Sequence, residues 1–250
     1  MPYAFAHPAA AVPLHRLLGR LAVPSALAIG SIVPDLWLFV PFVTREETHS
    51  LWSLLWFSLP VGIVLYAAFH RVVKEPVLAL LPSKVVTAFS PWTGRSLPSA
   101  RWRAVVASLL AAAATHLAWD AVTHSGAGPL DEPAFALGGH PILVQQLLQH
   151  GSTVLGTLFI VWWLRPKLVV ASDCGCPIAP ARFRAAITAG LIGVAALVFA
   201  HAAVPVLASG SDLQTVRTVL RGAGAMAASA FGLGLLVYCV LWRLSGRSVV

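Results

Sequence analysis

A single apolar segment, Ala104 to His124, contains three side chains that can titrate or bind a metal ion. His116, Asp120 and His124 follow one another at intervals of four residues. In an α-helix, each step of four residues advances about 40° beyond a full turn, so the three side chains lie on one stripe. A titratable group inside a membrane costs about 3 kcal/mol or more. The stripe therefore predicts a polar or metal-binding site that a helix bundle encloses.

Imidazole and carboxylate side chains are ligands that Zn²⁺ and other transition ions accept. His116 and His124 would lie about 12 Å apart along a helix axis, too far to share an ion that binds each ligand at about 2 Å. Either one ion lies on His116 and Asp120, or two ions are bound with Asp120 between them. The expected cofactor is a divalent transition metal, zinc before the others, as one or two ions. Water on such an ion becomes a usable nucleophile near neutral pH.

The composition predicts an integral membrane protein. Of the 250 residues, 58% are hydrophobic and only 10% are charged, whereas a soluble domain has about 25% charged residues. The net charge of +8 fits basic loops that face anionic lipid. No basic patch is interleaved with aromatic residues, so nucleic acid is excluded as a partner, and the expected partner is the lipid bilayer.

Six apolar segments are candidate spans, which predicts an all-α, polytopic helical membrane bundle with a short N-terminal hairpin arm. The segments are roughly Leu21–Val43, Leu51–Val72, Ala104–His124, Ser152–Leu164, Ala186–Ala208 and Gly222–Trp242. The start of the fourth is expected to extend back toward Ile142. In the first, Pro34 interrupts the hydrogen bonding directly before Asp35.

The charges of the loops predict the orientation. The stretches Arg71–Arg103 and Arg165–Arg184 and the C-terminal tail are rich in Lys and Arg, whereas Ser125–Gln149 contains neither. Basic loops stay in the cytoplasm. Six crossings with a cytoplasmic C-terminus agree with this rule, although Arg217 and Arg221 lie in a loop on the predicted outer side. We expect a multi-pass protein of the bacterial inner membrane.

This topology brings further histidines and an aspartate to one level near the outer leaflet. Asp35 lies in the outward half of the first span, and His49 directly precedes the second. His150 lies where the chain re-enters the membrane for the fourth span. A carboxylate that does not bind the metal can act as a general base, and Asp35 is the candidate for this role.

His7 reaches the same level if the short apolar stretch Pro8–Leu18 is the first arm of a helical hairpin. Arg16 and Arg20 would mark the inner end of this hairpin. We expect this hairpin. The roles of His140 and His201 stay open. The predicted metal ligands are His7, His49, His116, Asp120, His124 and His150.

The ionisable residues divide the chain into regions. Residues 1–164 are predicted to be a helical membrane domain that carries the His/Asp site. Residues 165–185 are predicted to be a cytoplasmic loop, and residues 186–250 a two-helix scaffold of the same bundle, since the last two spans are rich in Ala, Gly and Val.

Taken in order, these histidines and aspartates resemble the zinc-dependent phospholipase C and nuclease P1 superfamily. The matching parts are the fourteen-residue step from Asp35 to His49 and the pattern His116-x-x-x-Asp120. The resemblance implies an all-helical fold and cleavage of phosphoesters. It implies that His49, His116 and Asp120 bind one ion, that Asp35 is the general base, and that His124 and His150 bind a second ion. Val154 stands where the superfamily has a glutamate ligand.

The chain also resembles membrane proteins of the domain-of-unknown-function family 4184, which are similar to bacterial membrane-bound metal-dependent hydrolases. The resemblance covers residues up to about Leu164. Its matching pieces are Phe5–Ala10, Gly30–Asp35, His49–Leu51, His116–His124 and Leu148–Ser152.

The expected function is metal-dependent hydrolysis of a phosphoester or lipid-like substrate at an outward-facing His/Asp site, with Asp35 as the catalytic residue. The sequence leaves two alternatives open. A proton-coupled transporter also uses intramembrane His/Asp stripes as relays, but it usually shows inverted repeats and broken helices in both halves. A non-catalytic structural membrane protein would hold the metal for stability.

Overall fold

A computed structural model describes residues 6–40, 42–89, 101–123, 133–137, 140–170, 179–210 and 212–246. Nearly all of these residues are helical. The α-helices are α1 (Ala11–Leu18), α2 (Pro24–Gly30), α3 (Arg45–Thr48), α4 (Leu59–Ala68), α5 (Lys74–Leu80), α6 (Ser83–Phe89), α7 (Trp102–Thr123), α8 (Val144–Val170), α9 (Ala181–Ala208) and α10 (Leu213–Leu244). Three 3₁₀ segments, His7–Ala10, Gly19–Leu21 and Val33–Phe39, and two π-helical turns, Leu54–Ser58 and Phe69–Val73, complete the helical structure. The all-helical bundle is confirmed.

The N-terminal residues form the predicted helical hairpin. Helix α1 ends at Gly19, which has a φ of 51°, a backbone conformation that glycine adopts without strain. The chain then reverses into α2. Ser108 of α7 fixes this turn, because its hydroxyl donates to the Leu21 carbonyl at 3.1 Å and accepts from the Val23 amide at 2.9 Å.

Helix α2 packs closely against α7, and Gly30 permits the contact. A Cβ atom at this position would lie 2.5 Å from the Leu109 carbonyl oxygen and 2.9 Å from its Cα. A buried cluster at this contact consists of Ala26, Tyr66 and Leu109, and through Tyr66 it also includes α4. The segment that follows Gly30 is therefore fixed beside the middle of α7.

The first predicted span, Leu21–Val43, is divided rather than continuous. Helix α2 ends at Gly30, and a 3₁₀ segment from Val33 to Phe39 follows it. Pro34 provides the physical reason, because it has no amide hydrogen and its ring excludes an α-helical neighbour on the N-terminal side. Residues 21–43 therefore form short helical segments of the bundle and do not cross a membrane as one helix.

Five helices in the described part of the chain are long and apolar enough to cross a membrane, which indicates a membrane-embedded protein. They coincide with the other five predicted spans. Their bounds as candidate spans are Leu54–Leu80, Trp102–Thr123, Val144–Leu168, Ala181–Ala208 and Gln214–Leu244. Many of their large apolar side chains are exposed, Leu155, Trp162 and Leu197 among them, as expected for surfaces that lipid covers.

The chain groups into two compact units. The first comprises residues 1–68 and 88–171, and the second comprises residues 69–87 and 172–250. The division predicted from sequence, at residues 164 and 186, stays a prediction.

In the second unit, α9 and α10 pack along each other, and α10 also contacts α5. Arg243 forms a 2.6 Å ion pair with Glu75, and the Tyr238 hydroxyl donates to the Pro76 carbonyl at 3.3 Å. Ala79 and Trp242 are buried together nearby.

A short antiparallel hairpin precedes α8 in the first unit. Its strands are β1 (Pro133–Leu137) and β2 (His140–Leu143), with Phe135 opposite Ile142 and Leu137 opposite His140. The hairpin lies in the segment that the sequence predicts to be an outer loop.

Candidate metal centre

Helix α7 supplies two side chains of the candidate site from one face. His116 and Asp120 are buried on the same stripe as Leu109, Ala112 and Ala113. This stripe packs against α2, so the polar pair is carried into the interior by the same packing that buries its apolar neighbours. The i, i+4 prediction for this pair holds in the structure, where His116 Nε2 lies 3.9 Å from Asp120 Oδ2.

The 3₁₀ segment after α2 supplies Asp35. Its side chain is buried, and its backbone amide donates to the Ile32 carbonyl at 3.1 Å. The same turn orients a histidine, because His116 Nδ1 lies 2.7 Å from the Ser31 carbonyl oxygen. A carbonyl only accepts, so Nδ1 carries the hydrogen in this bond. In the neutral ring, Nε2 then holds the lone pair that a metal requires.

The short helix α3 places His49. Its first turn is stabilised by a capping box, in which the Thr44 hydroxyl accepts from the Glu47 amide and the Glu47 carboxylate accepts from the Thr44 amide. His49 directly follows this helix. Its Nδ1 lies 3.1 Å from the Arg45 carbonyl oxygen and 3.0 Å from the Thr48 hydroxyl, and its Nε2 faces the two carboxylates.

Asp35, His49, His116 and Asp120 converge from three separate parts of the chain. Each offers one ligand atom, and these four atoms all lie within 4.8 Å of one another. Asp35 Oδ1 lies 3.6 Å from His116 Nε2 and 3.7 Å from His49 Nε2. Asp120 Oδ2 lies 3.2 Å from His49 Nε2. This group of four residues is called the His/Asp group below.

The spacing within the His/Asp group fits a metal better than direct hydrogen bonds. Ligands at about 2.0–2.2 Å from a tetrahedral zinc ion lie about 3.3–3.6 Å from one another, close to the distances found. Among the described residues, the buried atoms Asp35 Oδ1, His49 Nε2 and His116 Nε2 have no hydrogen-bond partner. Buried polar atoms without partners are rare unless an ion or water satisfies them. The His/Asp group could therefore hold a metal ion.

Charge supports the same conclusion. Asp35 and Asp120 are two carboxylates that are almost entirely buried, and like charges at this distance destabilise each other in a medium of low dielectric constant. Arg45 contacts one of them, with its Nη2 donating to Asp120 Oδ2 at 3.0 Å. A divalent cation bound beside both carboxylates would offset this repulsion.

His7 lies at the edge of the His/Asp group. Its ring stacks on that of His116 with centroids 3.9 Å apart, and its Nε2 lies 3.9 Å from Asp120 Oδ1. Burial, together with the adjacent His116 ring, lowers the pKa of His7 to about 4. His7 is therefore neutral at pH 7 and able to offer a lone pair.

The structure does not bring every predicted ligand to this group. His150 lies near the start of α8 with an exposed side chain, and His201 is exposed on α9. His124 lies outside the described residues, as does the side chain of His140. The second ion that the resemblance assigned to His124 and His150 stays a prediction.

Arg45 is a residue of the site that no motif in the sequence indicated. In sequence it is one basic residue in a short polar stretch, next to two glutamates. The signal that could have found it is the spacing of Thr44 and Glu47, since Ser or Thr followed three residues later by Glu marks the start of a helix. A helix that starts there places Arg45 and His49 one turn apart.

Comparison with known proteins assigns the chain to a family. Residues 1–240 match the family model described as Domain of unknown function (DUF4184). The chain belongs to this family. No curated protein and no solved structure gives a significant match. The match extends beyond the part of the chain that carries the His/Asp group and covers the second unit as far as residue 240.

Proposed function

We propose that this protein is a metal-dependent hydrolase of phosphoesters whose reaction takes place at the His/Asp group inside the membrane. The observation that carries the proposal is the convergence of two imidazole Nε2 atoms and two buried carboxylates within 4.8 Å. Zinc suits this mixed nitrogen and oxygen donor set, although other divalent transition ions also accept it. When bound, the ion would supply Lewis acidity and a water with a pKa near neutrality.

The residues around the ion have distinct proposed roles. His49, His116 and Asp120 would be ligands, and their outer contacts to backbone carbonyls and to Arg45 would orient them. Asp35 is the proposed general base rather than a further ligand, because a carboxylate beside the ligand atoms that the ion leaves free could receive the proton of the attacking water. His7 would complete the ligand set or orient His116 by stacking.

Arg45 favours a phosphoester as the substrate. One of its nitrogen atoms contacts Asp120, and the side chain is 29% exposed. A guanidinium has five N–H donors, so this contact leaves donors for an anion. A guanidinium binds phosphate oxygens in a fixed, often bidentate geometry. It would hold an anionic oxygen beside the metal and stabilise the charge that develops during ester cleavage.

The proposed location is the bacterial inner membrane, with the C-terminus in the cytoplasm and the His/Asp group near the outer leaflet. The supporting observations are the basic stretches before α7 and before α9, and the absence of Lys and Arg from residues 125–149. Lys and Arg in loops set topology because they resist export across the membrane.

Hydrolysis of a soluble chromogenic phosphodiester by detergent-purified protein tests the proposal. We expect a chelator to abolish the activity and zinc to restore it. His116→Ala should remove both the activity and the bound metal. His201→Ala is the control, because it removes a histidine of the second unit. Activity that survives His116→Ala would contradict the proposal, as would a folded protein that binds zinc but hydrolyses no phosphoester.

A further inference from the structure

A mostly apolar cavity of about 590 Å³ lies next to the His/Asp group, between the 3₁₀ segment His7–Ala10 and the helices α7 and α8. Its size is within the range of about 300–1,000 Å³ that is typical of small-molecule sites. His7 and His116 are among the residues that line it, and most of the others are alanine or large apolar residues. A molecule in the cavity would therefore lie beside the candidate metal ligands.

The cavity opens on a surface that faces lipid. Two of its lining residues, Trp119 of α7 and Leu155 of α8, are 41% and 68% exposed. Both helices are long and apolar enough to span a membrane. The entrance therefore lies between two candidate spans, where the surrounding medium in a membrane would be hydrocarbon. Water is a poor occupant, because a buried water needs two to four polar partners.

We propose that this cavity holds an acyl chain, so that the substrate is a phosphoester lipid that enters from the bilayer. The inference rests on the proposed function for the reaction, but the binding of the chain can be tested separately. With the chain beside His7 and His116, the attached phosphoester would be held next to the His/Asp group and within reach of Arg45. In the reaction, a water oxygen bonds to phosphorus, one phosphorus–oxygen ester bond breaks, and the leaving oxygen receives a proton.

Photolabelling in a bilayer measures the binding of the chain without requiring catalysis. The protein is placed in nanodiscs of phosphatidylglycerol with a trace of the same lipid bearing a diazirine near the end of one acyl chain. After illumination, labelled peptides are identified by mass spectrometry. We expect labelling of α7 and α8 residues that line the cavity, Ala118, Trp119 and Leu155 among them.

Two exposed leucines of α8 give a matched pair of variants. Leu155 lines the cavity, whereas Leu158, which is 58% exposed one turn further along, does not. Leu155→Trp should fill the entrance and reduce labelling of the α7 part of the cavity several-fold, and Leu158→Trp should leave it unchanged. Equal labelling in both variants and in the wild type would overturn the inference. If Leu155→Trp does not fold, Ala118→Trp and its control Ala121→Trp repeat the comparison on α7, where both alanines are exposed.

Hydrolysis then separates the two proposals. If both hold, Leu155→Trp slows cleavage of a long-chain phosphoester lipid while cleavage of a short, soluble phosphodiester is unchanged. Labelling of the cavity without hydrolysis of either compound would retain the acyl-chain site and reject the hydrolase. Hydrolysis of both compounds with no effect of Leu155→Trp on either would retain the hydrolase and reject the acyl-chain site.

Discussion

At the scale of residues, the site depends on the contact that the Nδ1 atom of each imidazole makes. His116 Nδ1 contacts the Ser31 carbonyl, and His49 Nδ1 contacts the Arg45 carbonyl. Both rings therefore direct Nε2 toward the carboxylates, the arrangement that metal sites use to fix the tautomer and the ring orientation. The residues alone predicted the His116–Asp120 pair, because four-residue spacing on a helix is sufficient. They did not predict the supporting carbonyls, which carry no side-chain signal.

Arg45 gives the sharpest test at this scale. We expect Arg45→Met to lower the rate of phosphoester hydrolysis by about 10- to 100-fold, because residues that support a metal ligand typically have effects of this size on affinity or activity. The zinc content at saturating zinc should stay at the wild-type level, since Arg45 donates to a ligand and is not one. Steady-state kinetics and metal analysis of the same samples measure both quantities.

The matched control for this variant is Arg16→Met, which removes an exposed arginine of α1. An equal loss of rate in both variants would show that the effect is a general one of surface charge. A full rate in Arg45→Met would remove Arg45 from the site.

At the scale of elements, the position of Asp35 is decided by the break in the first predicted span. Five predicted spans coincide with helices, because long apolar runs leave little choice of structure in a membrane. Leu21–Val43 is equally apolar but contains Pro24, Gly30 and Pro34. The sequence showed the break at Pro34, but the close approach of Gly30 to Leu109 depends on packing between distant segments and could not be foreseen.

The close contact at Gly30 predicts a stability defect that also affects the site. Gly30→Ala adds a Cβ atom 2.5 Å from the Leu109 carbonyl oxygen, so α2 must move away from α7. We expect a loss of about 1–3 kcal/mol in stability, the typical cost of overpacking, together with weaker zinc binding, because Ser31 and Asp35 follow directly. Thermal unfolding in detergent and zinc titration measure the two effects.

Gly193→Ala is the control for this variant, since a Cβ atom at that helical position meets open space. We expect it to be neutral or slightly stabilising, because alanine is the better helix former. If Gly30→Ala were as stable as Gly193→Ala, the close packing of α2 on α7 would be refuted.

At the scale of the whole molecule, the candidate chemistry lies in one of the two units. The His/Asp group and the cavity belong to the first unit, whereas the second unit contains the long apolar helices α9 and α10 and the partly exposed ion pair of Arg243 with Glu75. The composition predicted a membrane bundle correctly, because the low share of charged residues is a property of the entire chain. It did not predict the two units, whose boundaries fall within the helical segment Leu54–Leu80, near the end of α6 and near the end of α8.

The positive stretches predict the orientation of the whole protein. A green fluorescent reporter fused after Val250 should be bright and an alkaline phosphatase fused there should be inactive, because the C-terminus is expected in the cytoplasm. Fusions placed after Gly128, in the stretch without Lys or Arg, should behave in the opposite way. A bright reporter at both positions would rule out the proposed orientation.

X-ray absorption at the zinc edge tests the central claim most directly. Purified protein loaded with one equivalent of zinc should show a shell of nitrogen and oxygen ligands at about 2.0–2.2 Å, with the multiple scattering that two imidazole rings produce. In His49→Ala and His116→Ala, this imidazole signal should be halved or the zinc lost, whereas His201→Ala should match the wild type. A wild-type protein that retains no zinc, or whose zinc shows no imidazole ligand, would contradict a metal centre at Asp35, His49, His116 and Asp120.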